Sequence, residues 1–175
     1  MNEPKYIIKI VLLGEANVGK TSLLYRWIEN KFRENYKSTL GVNLLKKDME
    51  IEAYGEVSAQ IWDLGGQESF RSLRRLYLEG ANGALLLYDM TNKESYDKLN
   101  EWIHSFKEDR KNEPIILIGN KSDLNEKIKI TDKEANEFAK RNNMEIIITS
   151  AKTGKNVEKA FIELTTKILE KISKK

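Results

Sequence analysis

The segment GEANVGKT, residues 14–21, sets two glycines, a lysine and a threonine at the spacing G-x-x-x-x-G-K-T, directly after the apolar run YIIKIVLL. Gly14 lets the chain turn, and Gly19 brings backbone close to a ligand with no Cβ in the way. The N–H groups of Ala16, Asn17, Val18 and Gly19, and of Ser22 in the first helical turn, then converge on phosphate oxygens at the positive end of a helix dipole. Lys20 supplies a point charge to the terminal phosphates, and the Thr21 hydroxyl is placed for Mg²⁺. The placement between a predicted strand and a predicted helix is what raises the motif above a glycine-rich turn with a chance lysine.

Such a metal calls for an acid. WDLGGQE follows VSAQI, so Asp63 leaves a strand end where it could share Mg²⁺, through a water, since that ion dehydrates reluctantly. Gly65 and Gly66 free the backbone. Gln67 then offers an amide that both donates and accepts, able to orient a water for in-line attack without acting as a strong base. The plainer alternative is a turn followed by a surface glutamine.

A third group follows two later aliphatic runs. IILIGNKSD delivers Asn120, Lys121 and Asp123, and IIITSAK delivers Ser150, Ala151 and Lys152. A carboxylate accepts two hydrogens at once, and guanine presents N1–H and a 2-amino group on one edge. Adenine presents a bare lone pair there and would leave Asp123 unsatisfied. A site built on such bonds rejects the analogue lacking them by roughly 10⁴-fold or more.

The elements that must carry these groups read as an alternation of short apolar runs and helical patterns. Strands are predicted at 6–13, over GVNLLKKDMEI and VSAQIWDL, and at 83–89, 114–120 and 145–150; helices at 20–30, 68–79, 93–111, 131–142 and 156–173. Continuous aliphatic blocks suit parallel strands buried on both faces. YGEV reads as a hairpin turning at Gly55. Thr91 with Glu94, and Thr131 with Glu134, match capping boxes. Val157, Phe161, Leu164, Ile168 and Ile172 give the last helix one buried stripe. The expected architecture is a three-layer α/β domain: a six-stranded, mostly parallel sheet with one antiparallel edge strand and about five helices. Ligands of such sheets bind beyond the carboxyl ends of the strands, where every motif above falls.

At 175 residues the chain is long enough for one domain, here 1–175, with a core of about 6–170 and a basic tail at 171–175. A charged fraction of 33% with distinct aliphatic runs is globular in character, and a net charge of +3 does not argue for nucleic acid. The chain has no cysteine, which excludes disulfides and thiolate metal sites and fits a reducing compartment. Neither a secretory leader nor a membrane-length apolar run is evident, and Asn2 and the ending EKISKK lack the common lipidation signals. The expectation is a cytoplasmic monomer, peripheral to a membrane at most.

With these motifs in hand, the sequence resembles the Ras superfamily of small GTPases over about residues 6–170. GEANVGKT, Thr39 within YKSTLGV, WDLGGQE, NKSD and SAK occur in the family's order. FRENYKSTLGV, QIWDLGGQESFRSLRRLY and ALLLYDMTNKESYDKLNEW look most like the Rab branch. The resemblance implies a switch that binds GTP or GDP with Mg²⁺ and hydrolyses GTP slowly, with Rab-like membrane trafficking as its setting. It implies that Thr39 completes the Mg²⁺ shell beside Thr21 and Asp63, and that Gly66 donates to the γ-phosphate. Phe32 would pack against guanine and Tyr36 close over the phosphates. Asn120 and Lys121 would brace the phosphate loop, and the Ala151 N–H would read guanine O6. Gln67, Lys20 and Thr39 form the implied catalytic set. Segments 33–42 and 64–77 would be the switches, ordered by the γ-phosphate, that regulators and effectors read around Leu44, Trp62 and Tyr77.

The chain also departs from the family. Leu64 and Gly65 replace a Thr-Ala pair and give a W-D-x-G-G-Q similar to Arf proteins; Ala16 adds a methyl near Gln67; Leu44 stands for a phenylalanine. These departures keep a rival open: a guanine-nucleotide-bound interaction module with negligible hydrolysis. A phosphotransferase using ATP is opposed by Asp123. His104, the one histidine, reads as structural or surface, and Arg71, Arg74 and Arg75 as a solvated face or an acidic-partner contact.

Overall fold

The computed structural model describes residues 3–32, 42–65 and 73–175. Among these residues six strands form one sheet: β1 (Tyr6–Leu13), β2 (Val42–Ile51), β3 (Gly55–Leu64), β4 (Gly83–Asp89), β5 (Ile115–Asn120) and β6 (Glu145–Ile148). They lie in the order β2-β3-β1-β4-β5-β6, with only the β2–β3 pair antiparallel. Both β4 and β5 are buried along their whole length, as continuous aliphatic sequences require of strands covered on two faces. Gly55, at φ +86° in the β2–β3 turn, takes a conformation that a side chain would strain.

The described helices are α1 (Lys20–Glu29), α2 (Arg74–Leu78), α3 (Lys93–Asp97), α4 (Leu99–Lys107), α5 (Asp132–Arg141) and α6 (Val157–Ser173). On one face of the sheet, Leu23, Leu24 and Trp27 of α1 meet Phe161, Leu164 and Ile168 of α6 over Ile8, Ile10 and Leu12 of β1. The rings of Trp27 and Phe161 stack with centroids 4.0 Å apart. On the other face, Leu99, Trp102 and Phe106 of α4 and Ala135 and Phe138 of α5 cover Val11, Leu13, Leu86 and Tyr88. β1 pairs with β3 on one side and β4 on the other, so the strand order reverses there, and the carboxyl end of β1 opens into the crevice between the two helical layers.

Two helix expectations need correction. The helix expected over 93–111 is broken at Lys98 into α3 and α4, and α4 ends at Lys107. Its cap is Asn92, whose side chain accepts from the Ser95 N–H, rather than Thr91. Thr91 is turned back instead, its N–H and hydroxyl both donating to Asp89 at 2.8 and 2.7 Å. The Thr131–Glu134 capping box is present as read. Of the helix expected over 68–79, residues 68–72 lie outside the described residues and the described part is helical at Arg74–Leu78. The buried stripe of α6 runs through Val157, Phe161, Leu164 and Ile168, with Ile172 half-buried. α6 includes Lys171, which pairs with Glu113 at 2.9 Å.

Candidate functional site

The loop from Gly14 to Gly19 joins the end of β1 to the start of α1 and is held by close backbone approach. A Cβ on Gly14, at φ +140°, would stand 2.4 Å from the Leu87 carbonyl oxygen of β4. A Cβ on Gly19, at φ +99°, would stand 2.3 Å from Nδ2 of Asn120. Asn17 also takes a left-handed backbone, φ 67°, which asparagine tolerates better than most residues. Gly19 caps α1 with no side chain of its own, and the first-turn N–H groups of a helix have no intrahelical acceptor, so they face the hollow of the loop.

Lys20 is buried and curls under the loop, its Nζ donating to the carbonyls of Gly14 and Glu15 at 2.8 Å each. Burial lowers its pKa to about 8, with Asp63 and Glu15 pulling the other way. A buried cation held by carbonyl dipoles is suited to an incoming anion. Next to it, the Thr21 hydroxyl donates to Oδ2 of the fully buried Asp63 at 2.5 Å, so the two oxygen ligands predicted for a metal are already adjacent. Among the described residues no three His, Asp or Glu side chains gather into a metal site. One carboxylate and one hydroxyl instead fit a hard cation that keeps waters and leans on ligand phosphates, as Mg²⁺ does. The donor set and the glycine cradle therefore fit a polyphosphate with its magnesium.

The second cluster lies beyond β5 and β6. Asn120 is buried; its Nδ2 donates to the Val18 carbonyl at 3.0 Å, and its Oδ1 accepts from Thr149 Oγ1 at 3.0 Å and the Ala151 N–H at 3.3 Å. Lys121, at φ 70°, extends its ammonium to the Asn17 carbonyl at 2.7 Å. Asp123 accepts at Oδ1 from the Ser150 hydroxyl at 2.8 Å, which fixes the carboxylate's plane. Ser150 Oγ also accepts from the Thr153 N–H at 3.0 Å. Lys152 is exposed at the rim, and Phe32 is half-buried against the α1–α6 core. The two clusters are thus joined by direct bonds rather than merely adjacent.

Tyr36, Thr39, Gly66 and Gln67 lie outside the described residues. Leu44, 54% exposed on β2, is paired in register with Trp62 of β3, whose ring lies 5.9 Å from that of Tyr77 on α2. Leu73 and Leu76 add further exposed apolar surface beside them. The expected arginine patch divides: Arg75 pairs with Asp109 at 3.5 Å, Arg74 stacks on Trp102, and Arg71 is outside the described residues. His104 is exposed on α4.

Three supporting residues were not anticipated. Asp89, the last residue of β4, accepts from Lys121 Nζ at 2.8 Å and sits beside Asn120 in register. Its signal was available, since an acid closing the aliphatic run GALLLYD occupies the same kind of strand end as Asp63. Arg26 of α1 donates from Nε to the Ala151 carbonyl at 2.7 Å and from Nη2 to that of Lys152, tying the SAK loop down. Thr149 orients Asn120. Neither Arg26 nor Thr149 carries a local signal of its role.

A glycine loop opening a helix at the switch point of a doubly covered sheet, with a hydroxyl–acid pair and a buried lysine, defines a P-loop nucleotide-binding domain. A model of the Ras family matches residues 9–170. The chain is 40% identical over 173 residues to "Ras-related protein Rab-4" of Dictyostelium discoideum, which covers 98% of this chain and 84% of that protein. It is 43% identical over 171 residues to "Ras-related protein RABA4d" of Arabidopsis thaliana, covering 97% and 77%. With human "Ras-related protein Rab-4A" it shares 42% over 168 residues, covering 95% and 77%. The chain belongs to the Ras family. It is a Rab-like small GTPase, a guanine-nucleotide switch that hydrolyses GTP and works through regulators and effectors.

Proposed function

We infer that one G domain, with its core over about 6–170 and basic residues at 171–175, holds GTP or GDP with Mg²⁺ across the two joined clusters. Lys20 and the N–H groups from Ala16 to Ser22 take the phosphates, with Gly14 and Gly19 giving the room. Thr21, Asp63 and, in the GTP state, Thr39 would hold Mg²⁺. That ion, when bound, neutralises charge developing between the β- and γ-phosphates. Asp123, oriented by Ser150, accepts guanine N1–H and the 2-amino group; Ala151 offers its N–H to O6, and Lys152 and Phe32 border the base. Asn120 and Lys121 fix the base loop to the phosphate loop. Gly66 and Tyr36 act at the γ-phosphate, and Gln67 orients the attacking water through its amide.

The observation that carries this reading is the pair of bonds from Asn120 to the Val18 carbonyl and from Lys121 to the Asn17 carbonyl. They support a set span between the buried lysine and the carboxylate proposed to read the base. Hydrolysis unaided is expected to be slow, about 10⁻⁴ to 10⁻³ s⁻¹, with a partner's arginine adding roughly 10³- to 10⁵-fold. The setting we propose is Rab-type membrane trafficking, with effectors reading the surface around Leu44, Trp62 and Tyr77 as the nucleotide changes. Among the described residues no helix is long and apolar enough to cross a membrane.

Titration calorimetry against GDP, GTP and ATP tests the base assignment. Tight uptake of the guanine nucleotides is expected, and preference for ATP would overturn it. Single-turnover phosphate release tests the catalytic one. Gln67→Leu should slow it at least about tenfold, whereas equal rates would favour the module with negligible turnover.

A further inference from the structure

Glu15 lies inside the phosphate loop, yet its side chain leaves the loop and reaches α4, where Oε1 accepts from the indole Nε1–H of Trp102 at 2.9 Å. Trp102 is fully buried. The guanidinium of Arg74, the first residue of α2, lies over the indole with its Cζ 3.5 Å from the ring centroid. Arg74 Nη1 also donates to Ser105 of α4 at 3.3 Å. A cation on the ring face and a carboxylate at the ring edge reinforce one another, because each sits where the indole's charge distribution is of opposite sign. The Glu15 backbone carbonyl, in turn, is one of the two acceptors holding the Lys20 ammonium. A contiguous path therefore runs from α2 through α4 to the lysine under the phosphates.

The path joins parts that differ in burial. Trp102 is set in the core beneath α4, with Leu99 and Phe106 on the same buried face. α2 is five residues long and enters the core chiefly through Leu78. The indole belongs to the core, whereas Arg74 is carried by a short helix that packs on that core through Leu78 and Tyr77. Both Glu15 and Arg74 act electrostatically on Lys20, in opposite senses, so the charges of the path are within reach of the phosphate site.

We propose that Glu15, Trp102 and Arg74 are positioning residues that make retention of the nucleotide depend on the seat of α2. A protein partner that draws α2 away takes the guanidinium off the indole, weakens the indole's hold on Glu15, and loosens the carbonyl that aligns Lys20. This deepens the nucleotide-switch reading, on which it rests, by assigning a route for regulation of that same site.

The test compares release of a fluorescent guanosine diphosphate from the wild type, Glu15→Ala, Arg74→Ala and the double variant. Each single change should speed release about three- to tenfold, the scale of losing a partly desolvated cation–π contact or a charge-assisted bond. The double variant should be no faster than the faster single one, because both changes cut the same path. Unchanged release, or effects that multiply, would overturn the proposal. Glu15→Gln keeps an acceptor for the indole and should restore most of the wild-type rate; failure to restore it counts against the path. A second readout needs no nucleotide: the Trp102 indole proton in one-dimensional NMR, assigned by its loss in Trp102→Phe. It should move upfield in Glu15→Ala and shift in Arg74→Ala, and a stationary signal in both would overturn the bracket. A protein that takes up no guanosine compound would refute the nucleotide reading while leaving the indole signal to judge the contact.

Discussion

Nδ2 of Asn120 occupies the space that a side chain on Gly19 would need, 2.3 Å from where its Cβ would stand. Two residues a hundred positions apart are thereby matched by volume as well as by the bond from Asn120 to Val18. Gly19→Ala must displace a buried amide and adopt φ +99°, and the left-handed backbone by itself costs about 1–2 kcal/mol. Guanine-nucleotide affinity should fall at least about tenfold, which 1.4 kcal/mol corresponds to, as read by titration with a fluorescent nucleotide.

Asp89→Asn separates the charge of that residue from its shape. An asparagine keeps an oxygen for the Thr91 N–H and hydroxyl but loses the ion pair with Lys121. Nucleotide release should accelerate by roughly tenfold, since a charge-assisted bond contributes about 1.5–3 kcal/mol and Lys121 is only partly shielded from water. In a Lys121→Ala background the same change should do little. An equal effect in both backgrounds would remove Asp89 from its assigned role.

Asp123→Asn should move base preference from guanine toward xanthine, whose 2-carbonyl accepts a hydrogen bond from the introduced amide. Competition between guanosine and xanthosine diphosphates measures it, and unchanged selectivity would free Asp123 from base reading.

The Tyr88 hydroxyl is buried with no hydrogen-bond partner among the described residues, and burial raises its pKa above the ordinary tyrosine value. Its ring packs edge-on against Tyr96 at 5.4 Å, which a phenylalanine would preserve. Tyr88→Phe should leave stability unchanged or raise it by about 1 kcal/mol in urea unfolding, because only an unsatisfied polar group is removed.

The Thr131–Glu134 box gives a pH signature. The Thr131 backbone N–H, then its hydroxyl, holds the Glu134 pKa below the usual carboxylate value of 4.5. The folded form therefore binds its proton less readily than the unfolded chain. The stabilisation is complete above 4.5 and fades as pH falls through the lower folded value. Thr131→Ala should cost about 1 kcal/mol at neutral pH, and its deficit in melting temperature should narrow under acid conditions without closing, because the bond from the Glu134 N–H to the Thr131 hydroxyl is lost at every pH.

Much of this was legible where physics acts locally. Aliphatic runs such as IILIGN announce doubly covered strands, and Gly14, Gly19, Lys20 and Thr21 fall within eight residues, so one turn of chain displays the chemistry. Thr131 and Glu134 bond across three residues and were read correctly. The misreading of Thr91 shows the limit: its hydroxyl had a nearer competitor in Asp89, a contact that only the end of β4 brings about. Arg26 was invisible for a related reason. Its carbonyl acceptors lie 125 and 126 residues away, and backbone acceptors carry no sequence identity. The break at Lys98 likewise interrupts a pattern that stays amphipathic on both sides.

The bonds from Asn120 and Lys121 to the carbonyls of Val18 and Asn17 tie together the two clusters proposed to hold the base and the phosphates. Once either end of a nucleotide has docked, the other end meets its contacts at a high effective concentration, so the second docking loses little further freedom. A guanosine without phosphates, or a polyphosphate without its base, forfeits that advantage. Each fragment should bind far more weakly than half the free energy of the intact nucleotide would suggest.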